Sequence, residues 1–100
     1  MNNVSLAVAF LNNALHETKD MAKKKEWLKS GMKELEGTKH WTEANIDRYR
    51  RILEYLDNIH ENPPGAPFYE DVERLNQRWL EMAQELLRDV LREIPEWFRR

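Results

Sequence analysis

One hundred residues, 41% of them apolar and 34% charged, are enough for one domain with a single core and too few for two. The formal charge of −2 comes from interspersed acids and bases, and the pI is about 5.9, so no basic field is present to draw nucleic acid or an anionic membrane. The absence of cysteine removes disulfides, thiol catalysis and cysteine-based zinc sites.

Glu, Lys, Arg, Leu, Ala and Met dominate, and Gly and Pro gather in two short clusters, which predicts an all-α protein. The first element expected is one long helix over about residues 3–36. Asn2 or Asn3 is its candidate N-cap. Ala7, Leu11, Ala14, Thr18, Met21, Leu28, Met32 and Leu35 form its stripe, and Gly37 stands at the position that ends it. Asp20 and Lys24 read as an i,i+4 pair on the outer face. Ser30-Gly31 is a weak point, because interior Gly costs about 1 kcal/mol relative to Ala. The first third, Val4 to Leu11, is apolar nearly all round and must be covered by something. No basic residue precedes this run and no small-residue cleavage site follows it, so a signal peptide is not expected and the cytoplasm is the default location.

A second helix is expected over about residues 42–60, with Thr42 as N-cap and Ile46, Tyr49, Leu53 and Leu56 on one stripe. Glu61-Asn62-Pro63-Pro64-Gly65-Ala66-Pro67 then breaks the chain, because consecutive prolines cannot continue a helix. A third helix is expected over about residues 67–94. Pro67 suits its first position, and Phe68, Val72, Leu75, Trp79, Met82, Leu86, Val90 and Leu91 form its stripe. Pro95 ends it, and Trp41, Trp97 and Phe98 are expected to close that end as an aromatic plug.

These lengths predict a three-helix, up-down-up bundle with a short middle helix and a proline-rich strap before the third. Seven strap residues at ~3.1 Å each span about 20 Å. That reach would carry Phe68 level with the start of the first helix. The middle helix would leave the start of the first helix facing only this strap. An apolar surface of Val4, Leu6, Val8, Phe10, Leu15, Phe68 and Tyr69 is therefore the expected contact with another protein or with a second copy, as a homodimer.

Chemistry finds little support. His16 and Asp20 face away from the first stripe, and the Asp57/His60 pair lacks the inward carboxylates that a di-metal site needs. Glu81, Glu85, Asp89 and Glu93 read as a solvated outer face. No catalytic residue, metal ligand, cofactor, nucleic acid or membrane is expected. Val72 to Trp79 resembles the third helix of a spectrin-type repeat over about eight residues. The short middle helix and the close spacing of Trp27 and Trp79 depart from that family's pattern. The reading is a non-enzymatic interaction or scaffold module. A designed helical bundle is the alternative, and a metal-dependent hydrolase using helical carboxylates is a remote one.

Overall fold

A computed structural model describes residues 3–94. Four helices follow one another: α1 (Asn3–His16), α2 (Met21–Leu35), α3 (Glu43–Asp57) and α4 (Tyr69–Glu93). The all-α class stands, but the three-helix bundle does not, because the long first helix is two helices.

The break at residues 17–20 is built by local hydrogen bonds rather than by Gly or Pro. The Asp20 side chain accepts from the Lys23 backbone N–H at 3.1 Å and so caps α2. Glu17 accepts from the backbone N–H groups of Lys19 (3.3 Å) and Asp20 (3.2 Å). The Lys24 ammonium reaches back to the carbonyls of Ala14 at 2.6 Å and Glu17 at 2.8 Å, which ends α1. Asp20 and Lys24 are thus not an outer-face pair. One is a cap and the other is buried.

After the break the chain doubles back. Phe10 stacks on Trp27 with ring centroids 5.7 Å apart. Gly31 lies against Ala7 and Leu11, and Lys24 lies against Ala14. That descending register makes α1 and α2 antiparallel. The same reasoning makes α3 and α4 antiparallel, because Arg48 bonds Glu93, Tyr55 stacks on Trp79 at 5.9 Å, and Asn76 bonds the backbone of His60. The most extensive packing joins α1 to α2 and α3 to α4. Thinner contacts join α1 to α4 and α2 to α3.

The core follows helical spacing on all four elements: Val4, Ala7, Leu11 and Ala14; Leu28 and Leu35; Tyr49, Ile52 and Leu56; Ala83, Leu87, Val90, Leu91 and Ile94. The apolar start of α1 is covered by α2 and α4, not by the proline strap. Small residues let α1 and α2 approach closely. A Cβ on Gly31 would lie 2.8 Å from Leu11 Cδ2 and 3.3 Å from the Ala7 carbonyl oxygen. Gly31 is a contact point between the helices, and α2 runs unbroken through it.

On α4 the buried face is rotated from the expected stripe. Ala83 and Gln84 are its first buried residues, and none from Tyr69 to Met82 is buried. Trp79 is only half-buried and stacks on Tyr55 outside the core. At ~1.5 Å per residue the 25 residues of α4 run about 37 Å, far longer than the other helices. The molecule measures 48 × 23 × 18 Å. Asn2, Pro95, Trp97 and Phe98 lie outside the described residues, so the expected N-cap at Asn2 and the aromatic plug are not described.

Candidate interaction surface

The strap and the start of α4 are tied together by two asparagines. Asn76 closes both backbone groups of His60: its Oδ1 accepts from the His60 N–H at 3.1 Å, and its Nδ2 donates to the His60 carbonyl at 2.8 Å. Asn62 Nδ2 donates to the Tyr69 carbonyl and to Glu73 Oε1, each at 2.9 Å. A turn closed by the Ala66 N–H on the Pro63 carbonyl at 3.1 Å then swings the chain into α4, with Gly65 at φ +89°.

The residue at that entry is Phe68, with φ 58° and ψ 30°. Left-handed backbone is rare for a bulky side chain and costs about 1–2 kcal/mol. No side-chain cap compensates it, and the ring is 77% exposed. Two turns on, Leu75 is 57% exposed. About two to three turns beyond Leu75 along α4, Met82 and Leu86 join Tyr55, Arg51, Glu85 and Asp89 around a shallow depression of about 210 Å³. A larger open cleft of about 540 Å³ runs from Thr18 along Gln77, Leu80, Glu81, Gln84, Glu85 and Arg88.

The anticipated contact residues are divided between the two ends of the molecule. Val4 is buried, and Val8 and Leu15 are half-buried against the core. Leu6 and Phe10 are half-buried, Phe10 on Trp27. The alternating helix directions place Val4 at the end of Leu35, Tyr49 and Ile94. Phe68 and Tyr69 begin α4 at the opposite end, and there Phe68 is exposed and Tyr69 half-buried. The exposure of Leu75 was missed because its spacing matches a core stripe. The acids and arginines flanking it were the available signal.

Two buried polar centres hold the fold. The first is Lys24, whose ammonium donates to Ala14, Glu17 and Gln84 Oε1, while Gln84 Nε2 donates to the Leu15 carbonyl at 2.8 Å. Burial lowers its pKa from the usual 10.5 to about 8, against the pull of Glu17 and helped by Arg88. The second joins the α2–α3 turn to α3. His40 Nε2 lies 2.8 Å from Tyr49 Oη, and Asn45 Nδ2 donates to the His40 carbonyl at 2.7 Å. Trp41 stacks on Tyr49 at 5.9 Å. Burial lowers the His40 pKa, opposed by Glu93 and aided by Arg48. Burial likewise pushes the Tyr49 phenol well above its usual value. Asn45 Nδ2 also lies 3.3 Å from His40 Nδ1, a donor that a protonated ring would oppose. These groups are turned inward onto protein partners.

Asp57 pairs with Lys25 at 2.8 Å rather than with His60. Among the described residues no cluster of three His, Asp or Glu side chains could hold a metal ion, and no helix is long and apolar enough to cross a membrane. The sequence matches no protein-family model, and neither curated proteins nor solved structures include a significant match.

Proposed function

We propose that this chain is a non-enzymatic protein-interaction module whose contact surface is the exposed side of the strap and the first turns of α4. Phe68 carries the reading. A bulky aromatic held in left-handed backbone and left 77% exposed contributes little to the core and strains the chain locally. Such strain is retained where surrounding contacts enforce it and where the side chain serves recognition. Leu75 extends the apolar surface, and Arg74, Arg78 and Glu81 give it a polar rim. The tie between the strap and α4 through Asn62 and Asn76 presents this surface preorganised, which lowers the ordering cost of association.

Site-specific photo-crosslinking tests the reading. A photoreactive residue at position 68 or 75 is expected to capture a protein in cells producing the chain. The same residue in place of Lys29 or Glu43, exposed on α2 and α3, is expected to capture none. Equal capture at all four positions, or none at 68 and 75, overturns it.

A further inference from the structure

Next to Leu75 runs a charged row on α4 with a symmetry of its own. Asp71, Arg74, Arg78, Glu81, Glu85 and Arg88 are all exposed, and their 3-4-3-4-3 spacing keeps them on one side of the helix. Read from the other end the spacing is the same and every sign is reversed. Within one chain the row mixes opposite charges three residues apart, Asp71/Arg74, Arg78/Glu81 and Glu85/Arg88, with like charges four residues apart, Arg74/Arg78 and Glu81/Glu85, and only the like pairs are unfavourable. Asp71 and Arg74 pair at 2.5 Å, but among the described residues Arg78, Glu81 and Glu85 form no ion pair.

An antiparallel α4 from a second copy, related by a two-fold axis at the level between Trp79 and Leu80, answers each of these charges. Arg78 then faces Glu81 of the second copy, Arg74 faces Glu85, and Asp71 faces Arg88, each contact occurring twice. The same register brings Leu75 to the level between Met82 and Leu86 of the second copy. Those two residues line the depression of about 210 Å³, which is room for a leucine side chain. The charge order and the knob-and-depression match are separate features, and both call for the same alignment.

We propose that this face of α4 is a homodimer interface, in which Leu75 of each copy seats between Met82 and Leu86 of the other and the Arg74/Arg78 pair of each faces the Glu85/Glu81 pair of the other. The proposal rests on the interaction-module reading and assigns its occupant. The contact is essentially one helix face, so association is weak, and its flanking charges make it weaker at high salt.

Sedimentation equilibrium from about 10 µM to about 1 mM tests it with three chains besides wild type. Leu75→Asp is expected to be monomeric throughout. The pair Arg74→Glu with Arg78→Glu, and separately Glu81→Arg with Glu85→Arg, are each expected to be monomeric alone, because each row then meets its own sign. Mixed one to one, the two charge variants are expected to form a heterodimer, since every contact becomes complementary again. All substituted side chains are exposed, and unchanged helicity by circular dichroism verifies folding of each variant. Wild type that stays monomeric at low salt overturns the proposal. So does a charge variant that dimerises alone, or a mixture of folded variants that fails to pair. Monomeric wild type combined with capture of a different protein at position 75 removes the second copy as occupant and leaves the module reading standing. Absence of both removes both.

Discussion

The ammonium of Lys24 sits 2.6 Å from the carbonyl oxygen of Ala14, so a side chain of α2 closes the last turn of α1. Replacing it with an apolar group of similar length strands the carbonyls of Ala14 and Glu17 and the Gln84 amide oxygen. Lys24→Met is therefore expected to lower stability by about 1–3 kcal/mol at pH 7, measured by urea unfolding. The pH dependence has a definite sign. Above about 8 the folded chain has released a proton that the unfolded chain holds until about 10.5. Unfolding then takes up a proton, so wild-type stability should rise relative to Lys24→Met between pH 8 and 10.5. A flat difference across that window would show that burial does not depress this ammonium.

His40 titrates at the opposite end of the range. Its pKa is lowered by burial, so just below pH 6.5 the unfolded chain binds a proton that the folded chain refuses. Unfolding again takes up a proton, and stability is expected to fall as the pH drops below 6.5 toward the folded-state value. His40→Gln should remove most of that slope. The direct measurement is the midpoint of the His40 ring resonances by NMR, expected below 6.5.

Gly31→Ala should be destabilising even though it gains about 1 kcal/mol of helix propensity. The added methyl meets Leu11, which is fully buried, and Leu11 cannot move aside without disturbing α1. Overpacking of this kind costs about 1–3 kcal/mol. Combining it with Leu11→Ala should cost less than the sum of the single changes, because the smaller side chain vacates the space. Additive losses in denaturant melts would place the strain elsewhere.

Phe68→Gly separates folding from recognition. Glycine takes φ 58° freely, which removes a left-handed penalty of about 1–2 kcal/mol, offset in part by its greater freedom when unfolded. Thermal stability is expected to stay level or rise by up to about 1 kcal/mol, while capture of a partner by a photoreactive residue at position 75 is reduced. A large drop in melting temperature would show that the ring supports the fold.

Trp79→Ala is expected to cost about 1–2 kcal/mol, mainly the stack on Tyr55 and partial burial. Leu87→Ala, fully buried, should cost about 2–5 kcal/mol. A reversed order would return Trp79 to the core and rotate α4 by about one residue.

The elements marked by strong punctuation were legible from the chain itself. The proline break, the Gly37 stop, the Thr42 cap and the stripe through Tyr49 and Leu56 recur in the structure, but the break turns at Pro63–Ala66 instead of running about 20 Å to the start of α1. The turn at residues 17–20 was not legible. Thr18 and Met21 continue the apolar rhythm of Ala14 across it, and no Gly or Pro interrupts the run. Asp20 was the clue, yet an acid four residues before a lysine fits a helix surface as well as a cap. The shifted face of α4 escaped for a related reason. Two apolar rows lie side by side there, Leu75–Met82–Leu86 and Ala83–Leu87–Val90, and only the packing of α1 decides which of them is inward. Of the anticipated surface, the strap-side end at Phe68 is exposed, and Val4 became core because α2 folds back over it.

The pairing of each helix with its successor also bears on how the chain finds this arrangement. The two heaviest contacts, α1 on α2 and α3 on α4, close through loops of only a few to about a dozen residues, so little chain entropy is lost before packing begins. Topologies dominated by such local contacts fold on the microsecond-to-millisecond scale. The links between the halves come later in this order. Gln84 reaches Lys24 across 60 residues and Leu15 across 69, so one amide side chain joins two hairpins that local contacts are expected to close first. Gln84 therefore acts as a late-forming clasp, governing how long the assembled protein stays closed more than how quickly it collapses.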